Sequence, residues 1–153
     1  MDPELEAILP DRVGTVEIAK SSLAGLEFSG SAEPTFQQFL QEIGVSDASI
    51  SVASGIGATA TTPPASAFLL AIRLRGATEE QIVSTFRHAL EQNETRPYTV
   101  TAQTVAGKDV LRAVALGGSA EGPPAYFYAR GDVMLFVAAS DQALAEEAIA
   151  LLP

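Results

Sequence analysis

His88 is the single imidazole among 153 residues, and the chain has no cysteine and no tryptophan. A histidine three positions before a carboxylate, as in His88 and Glu91, can share a metal when both sit on one helix. Such a site needs three or four ligands, and no second histidine or thiolate is present to supply them. Phe86, Ala89 and Leu90 bracket His88, so it is read as a structural residue at the margin of a buried face. It is also the one histidine open to a Ser–His–Asp triad, and the Gly-x-Ser-x-Gly elbow is absent. The missing cysteines remove disulfides, thiolate zinc sites, iron–sulfur ligation and thiol nucleophiles. No cofactor and no metal site is expected, and a non-catalytic role is preferred over an enzymatic one.

Other spacings have a chemical and a structural reading. Glu79-Glu80 and Glu146-Glu147 are paired carboxylates. The first pair falls in the opening turn of a helix, where negative charge meets the positive end of the helix dipole. The second falls later and is read as solvent-facing. Arg73 and Arg75 share a strand face and form a possible anion or partner surface. Arg130-Gly131-Asp132 spells an integrin-type tripeptide at a hairpin tip, although Gly-Asp is ordinary turn chemistry. Gly55-Ile56-Gly57-Ala58-Thr59-Ala60 partly matches a dinucleotide-binding loop. Thr61, Thr62, Pro63 and Pro64 then stand where a pyrophosphate-holding helix must begin, so a loop is expected. Gly117 to Gly122 lacks the lysine of a P-loop. Asn93-Glu94-Thr95 is a glycosylation sequon, informative only in a secretory host.

The net charge is −10, from 19 acidic and nine basic residues. That surface repels phosphate backbones, and the two lysines, Lys20 and Lys108, do not cluster, so nucleic acid is not an expected partner. No Asp-x-Asp-x-Asp-Gly calcium loop occurs. No apolar run approaches 18 residues, so no membrane span is expected. The opening Met1-Asp2-Pro3-Glu4 is acidic and is no signal peptide; it reads as the start of a trimmed, mature domain.

The elements that would position these residues follow from caps and periodicity. Residues 1–10 read as a short helix capped by Asp2 and stopped by Pro10. Val13 to Lys20 reads as a strand, and Pro34 to Ile43 as a helix with Phe36, Phe39, Leu40 and Ile43 on one stripe. Ile50 and Val52 mark a strand over 49–54. Phe68 to Arg75 alternates cleanly, with Phe68, Leu70, Ile72 and Leu74 on one face. Thr78 and Gln81 form a capping box for a helix reaching about Gln92. Tyr98–Val105 pairs with Val110–Leu116 across residues 106–109, and Ala125–Arg130 pairs with Val133–Ala139 across Gly131-Asp132. A last helix starts at Ser140 or Asp141 and ends at Pro153. Flexible loops are expected near 21–33, 55–66 and 117–124. Two strand–cap–helix units, one from Phe68 and one from Val133, echo each other weakly, as a possible internal pseudo-repeat.

Hairpins mixed with helices imply one α+β domain over 1–153. Its expected form is a single antiparallel curved sheet of about six or seven strands, with two or three helices packed on one face. The other face would turn Arg73, Arg75, Thr99, Thr101 and Gln103 to solvent or a partner.

The segments Asp2 to Gly14 and Arg130 to Val137, with the Ala-, Gly- and Arg-rich, Lys-poor usage around them, resemble the mature part of uncharacterised exported proteins and lipoproteins of high-GC bacteria. The likeness carries no functional motif, and the anchoring cysteine of a lipoprotein is absent. It implies an extracytoplasmic location, in the cell envelope or secreted, with the cytoplasm as the alternative.

These readings converge on an uncharacterised non-catalytic cell-envelope domain that binds a small apolar ligand or a protein partner. Phe36, Phe39, Phe68, Phe86, Phe127 and Phe136 are the candidate ligand-binding residues, with the loops at 55–66 and 117–124 as rims. The alternatives are a structural or oligomerising module acting through a sheet edge, and a hydrolase whose site no motif marks.

Overall fold

The computed structural model describes residues 2–24, 27, 34–92, 98–115 and 124–153. The elements in chain order are α1 (Pro3–Ala7), β1 (Arg12–Val13), β2 (Val16–Glu17), β3 (Ala19–Ala24) and α2 (Pro34–Ile43). Then come β4 (Ile50–Ala58), β5 (Ser66–Leu74), α3 (Glu79–Glu91), β6 (Tyr98–Val105) and β7 (Lys108–Ala115). The chain closes with β8 (Ala125–Arg130), β9 (Val133–Ala139) and α4 (Gln142–Leu151). The fold is α+β. Seven antiparallel strands lie in the order β3-β4-β5-β9-β8-β7-β6, and β1 and β2 form a separate small ribbon.

The local signals place the ends of these elements. The Asp2 carboxylate accepts from the Leu5 amide at 3.1 Å and caps α1. Thr78 and Gln81 make their reciprocal bonds at the start of α3. Asp141 rather than Ser140 caps α4, accepting from the Leu144 amide at 2.9 Å. The Ser140 hydroxyl instead accepts from the Ser66 amide at 3.0 Å and ties β9 to the start of β5. The β6–β7 turn is shorter than the 106–109 expected. Ala106 (φ 52°) and Gly107 (φ 77°) make a two-residue turn whose positive φ values match the twist of the flanking strands.

Two buried clusters lie on opposite faces of the sheet. On one face α2 and α3 set Phe39, Leu40, Ile82, Phe86, Ala89 and Leu90 against Val52, Leu70, Ile72, Phe127 and Met134. These are the two helices expected on one side. The opposite face, expected to be open, is covered. There α1, the β1–β2 ribbon and α4 bury Leu5, Leu9, Val13, Val16, Leu144, Ala148 and Ile149 against Leu69, Ala71, Tyr126, Leu135 and Val137. The physical reason is the two-sided apolar content of the central strands: β5, β8 and β9 carry large apolar side chains on both faces, so both must be shielded from water. The echoed strand–cap–helix units therefore diverge, because α3 packs on one face and α4 on the other.

Two expected loops are partly strand. β3 continues to Ala24 and β4 to Ala58, which pairs with Ser66. Gly55 and Gly57 mask β4 as a loop in sequence, yet they are what lets the ribbon lie against it. A Cβ on Gly55 would stand 2.6 Å from Ile18 Cγ2, and one on Gly57 would overlap the Glu17 carbonyl oxygen. The connection left between β4 and β5 is bonded at both ends, since the Thr59 amide donates to Ala65 O at 2.8 Å and the Thr59 hydroxyl accepts from the Ala65 amide at 3.0 Å. Residues 117–123, 93–97 and most of 25–33 lie outside the described residues, and with them the Asn93 sequon and the Gly117 run.

Candidate functional site

α3 crosses the sheet obliquely, because its first residue is tied to the β8–β9 turn and its later turns lean on β6. Glu79 Oε1 accepts from the Gly131 amide at 2.6 Å, and Arg87 Nη2 donates to the Val100 carbonyl at 3.4 Å. That path leaves one corner of the sheet uncovered, where the end of β6, the start of β7 and the end of β8 meet. The corner is a groove of about 600 Å³. Phe127, Leu111 and Val83 form its apolar walls, and Ala102 and Ala129 keep its floor shallow. Glu79, Glu80 and Asp109 supply carboxylates at its rim, with the Thr104 hydroxyl donating to Asp109 Oδ1 at 3.3 Å. The size and the mainly apolar lining are those of a small-molecule pocket.

A smaller hollow of about 250 Å³ adjoins the groove, sharing Glu79, Asp109, Tyr128 and Ala129 and adding Lys108 and Arg130. Lys108 is turned away from it: its ammonium donates to Ile149 O and Leu152 O, at 2.6 Å each, and so caps the end of α4. Desolvation, helped by Arg130, lowers the Lys108 pKa from its usual value. The Tyr128 hydroxyl donates to Pro153 O at 2.8 Å, and burial pushes its pKa up to about 12 against the opposing pull of Arg130. Both groups hold the segment from Ile149 to Pro153 against the sheet.

The six candidate phenylalanines come together. Phe86 is the hub, with ring centroids 5.2 Å from Phe36, 5.2 Å from Phe39, 4.7 Å from Phe127 and 6.3 Å from Phe136. Phe68 joins through Phe136 at 6.2 Å. Most of these contacts are edge-to-face, the arrangement the ring quadrupoles favour. Of the six, Phe127 lines the large groove. Phe68 lines another hollow of about 330 Å³ beside Ile56, Ala138 and Ser140. Ile56 is 63% exposed there. The rims expected at 55–66 belong to this second hollow rather than to the larger groove.

The other candidates are placed in structural roles. Arg73 Nη1 meets Asp2 Oδ2 at 2.6 Å and Glu4 at 3.7 Å, and Arg75 reaches Asp2 at 3.5 Å and the Ser51 hydroxyl at 3.3 Å. This pair holds α1 to the sheet. Asp132 lies 4.0 Å from Arg73 Nε, so the tripeptide's carboxylate is turned towards the protein's own arginine. His88 Nδ1 lies 3.0 Å from Glu42 Oε2 and joins α3 to α2, while Glu91 pairs with Arg87. Glu146 accepts from Gln142, and Glu147 accepts from the Gly14 amide at 3.0 Å. Among the described residues no group of three or more His, Asp and Glu side chains is gathered to hold a metal, and no helix is long and apolar enough to cross a membrane.

The groove was not foreseen from sequence. Its walls are separate short apolar residues from α3, β6, β7 and β8, and only the crossing path of α3 brings them to one corner. Comparison with protein-family models, with curated proteins and with solved structures yields no match.

Proposed function

We propose that this chain is a non-catalytic binding domain and that the groove between α3 and the β6–β7–β8 corner receives a small apolar ligand. The observation that carries the reading is the half-buried apolar wall of Leu111 and Val83, backed by the buried Phe127, beside a space of about 600 Å³. Burying such walls against a ligand is worth roughly 25 cal/mol per Å² of apolar area. Catalysis has less support, because the nearby polar groups hold structure: Glu79 binds the β8–β9 turn, and Lys108 and Tyr128 hold the segment from Ile149 to Pro153. The location we propose is the cell envelope or the extracellular space, on the compositional likeness to exported proteins.

The test is calorimetric titration with decanol, a neutral ten-carbon alcohol, against the wild type and Val83→Trp. Val83 is half-buried at the groove wall, so an indole there fills the space while α3 keeps its core residues. The expected result is saturable binding to the wild type, weakened at least tenfold in a folded Val83→Trp. Absence of binding to the wild type, or equal binding to both, overturns the groove as the site.

A further inference from the structure

The groove of about 600 Å³ has a charge as well as a shape. Its lining carries Glu79, Glu80 and Asp109 and, among the described residues, no Lys, Arg or His. The carboxylates come from two sides, since Glu79 and Glu80 open α3 and Asp109 stands near the start of β7. All three are exposed, and none is in an ion pair among the described residues. Glu79 commits Oε1 to the Gly131 amide and Asp109 commits Oδ1 to the Thr104 hydroxyl, so each keeps a second oxygen for another donor. The nearby cations are placed elsewhere. Arg87, one turn past Val83 on α3, gives its guanidinium to Glu91 and to the Val100 carbonyl. Lys108 is bound to the last carbonyls of α4. Lys108 and Arg130 line the adjoining hollow, which shares Glu79 and Asp109; Glu80 lines the groove alone. The field of the whole chain, at −10, has the same sign as the rim.

We propose that the groove selects an organic cation, a protonated amine on an apolar chain; this rests on the apolar-ligand reading above and adds the head group to it. The tail lies along Leu111, Val83 and Ala102, and the head reaches Glu80 and Asp109 at the rim. An ammonium has three donors and no acceptor, which matches carboxylate oxygens that lack a partner. A fatty carboxylate of the same length would set its charge against three like charges. The rim is open to water, so each ion pair contributes only a few-fold in affinity, and the apolar wall supplies the rest. The preference for a cation therefore weakens as salt screens the rim.

The experiment is calorimetric titration with decylammonium, decanol and decanoate, which share a ten-carbon tail and differ in head charge. The proteins are the wild type, Val83→Trp, and Glu80→Gln combined with Asp109→Asn. Glu6→Gln with Glu146→Gln, on the helices of the opposite face, removes the same two charges away from the groove and serves as the control. Decylammonium is expected to bind the wild type at least about fivefold more tightly than decanol in about 0.05 M salt, with decanoate weakest. That gap should shrink to about twofold or less in the rim variant and in about 0.5 M salt, and persist in the control. Should the rim variant fold poorly by circular dichroism, Glu80→Gln alone replaces it. Equal binding of decylammonium and decanol, both weakened by Val83→Trp, keeps the groove and overturns the cationic head. A preference that survives the rim variant, or that the control abolishes equally, also overturns it, as does tightest binding by decanoate. Binding of none of the three overturns this proposal together with the apolar-ligand reading.

Discussion

Asp2 and Arg73, 71 positions apart, meet at 2.6 Å with the Asp2 side chain only 8% exposed. One carboxylate does two jobs: its first oxygen caps α1, and its second takes the guanidinium of the central strand β5. The first turn of the chain is thereby fixed to the middle of the sheet.

Removing Asp2 takes from Arg73 its nearest carboxylate and leaves only Glu4 and Asp132, at 3.7 Å and 4.0 Å. Asp2→Ala is expected to cost about 2 kcal/mol, combining the lost cap with the weakened pairing of Arg73. Asp2→Asn retains a capping oxygen and should lose about 1 kcal/mol less. Urea denaturation of both variants checks this. Equal losses would mean that the cap contributes nothing.

The ribbon over β4 needs bare backbone. Gly57→Ala is expected to destabilise by about 3 kcal/mol or to displace the ribbon, because the methyl would overlap the Glu17 carbonyl oxygen. Gly107→Ala meets nothing within 4 Å and carries only the strain of its φ of +77°, about 1 to 2 kcal/mol. Thermal melts of the two variants should rank them in that order.

Phe86 contacts four other rings and is 1% exposed, so Phe86→Ala should cost about 3 to 5 kcal/mol. Phe68 is half-buried at the edge of the cluster, and its truncation should cost clearly less. A larger loss at Phe68 would contradict the hub assignment.

Two tyrosines should respond oppositely. Tyr126 Oη is buried with no hydrogen-bond partner among the described residues, so Tyr126→Phe should be neutral or stabilising by up to about 1 kcal/mol. Tyr128→Phe frees Pro153 O and should cost about 1 kcal/mol. The Tyr128 pKa is raised in the folded state, so its contribution is full below the ordinary value of 10.0 and is lost as pH rises towards about 12. Ultraviolet titration of the folded protein should show a late phenolate that is missing in Tyr128→Phe.

Acid should loosen α2 from α3. The Glu42 pKa is lowered, first by the Gln38 hydrogen bond and then by the hydrogen bond and charge of His88. A depressed carboxylate stabilises the fold above its unfolded value, here 4.5, and that stability is lost as pH falls through the lower folded value. Glu42→Gln should flatten the decline in stability below pH 4.5 and leave the fold intact at neutral pH. A decline unchanged by Glu42→Gln would place the acid sensitivity elsewhere.

Much of the local structure was legible in the residues themselves. Asp2, Thr78 with Gln81, and Asp141 mark helix starts because a cap acts on amides two or three positions away. The Gly131-Asp132 hairpin and the stripe of Phe36, Phe39 and Leu40 are likewise short-range signals. The Gly55–Ala58 strand was hidden because its glycines answer to Val16, Glu17 and Ile18, some 40 residues earlier.

The sequence by itself determined the α+β class, the hairpins and caps, and the chemistry ruled out by one histidine and no cysteine. Those depend on composition and on residues a few positions apart. Tertiary structure alone decided the strand order, the covering of both faces, the recruitment of Arg73 and Arg75 by Asp2, and the apolar corner that α3 leaves open. Each of these arises from pairing between distant segments. Alternation shows that a strand has two faces, but only packing shows which helix lies on each.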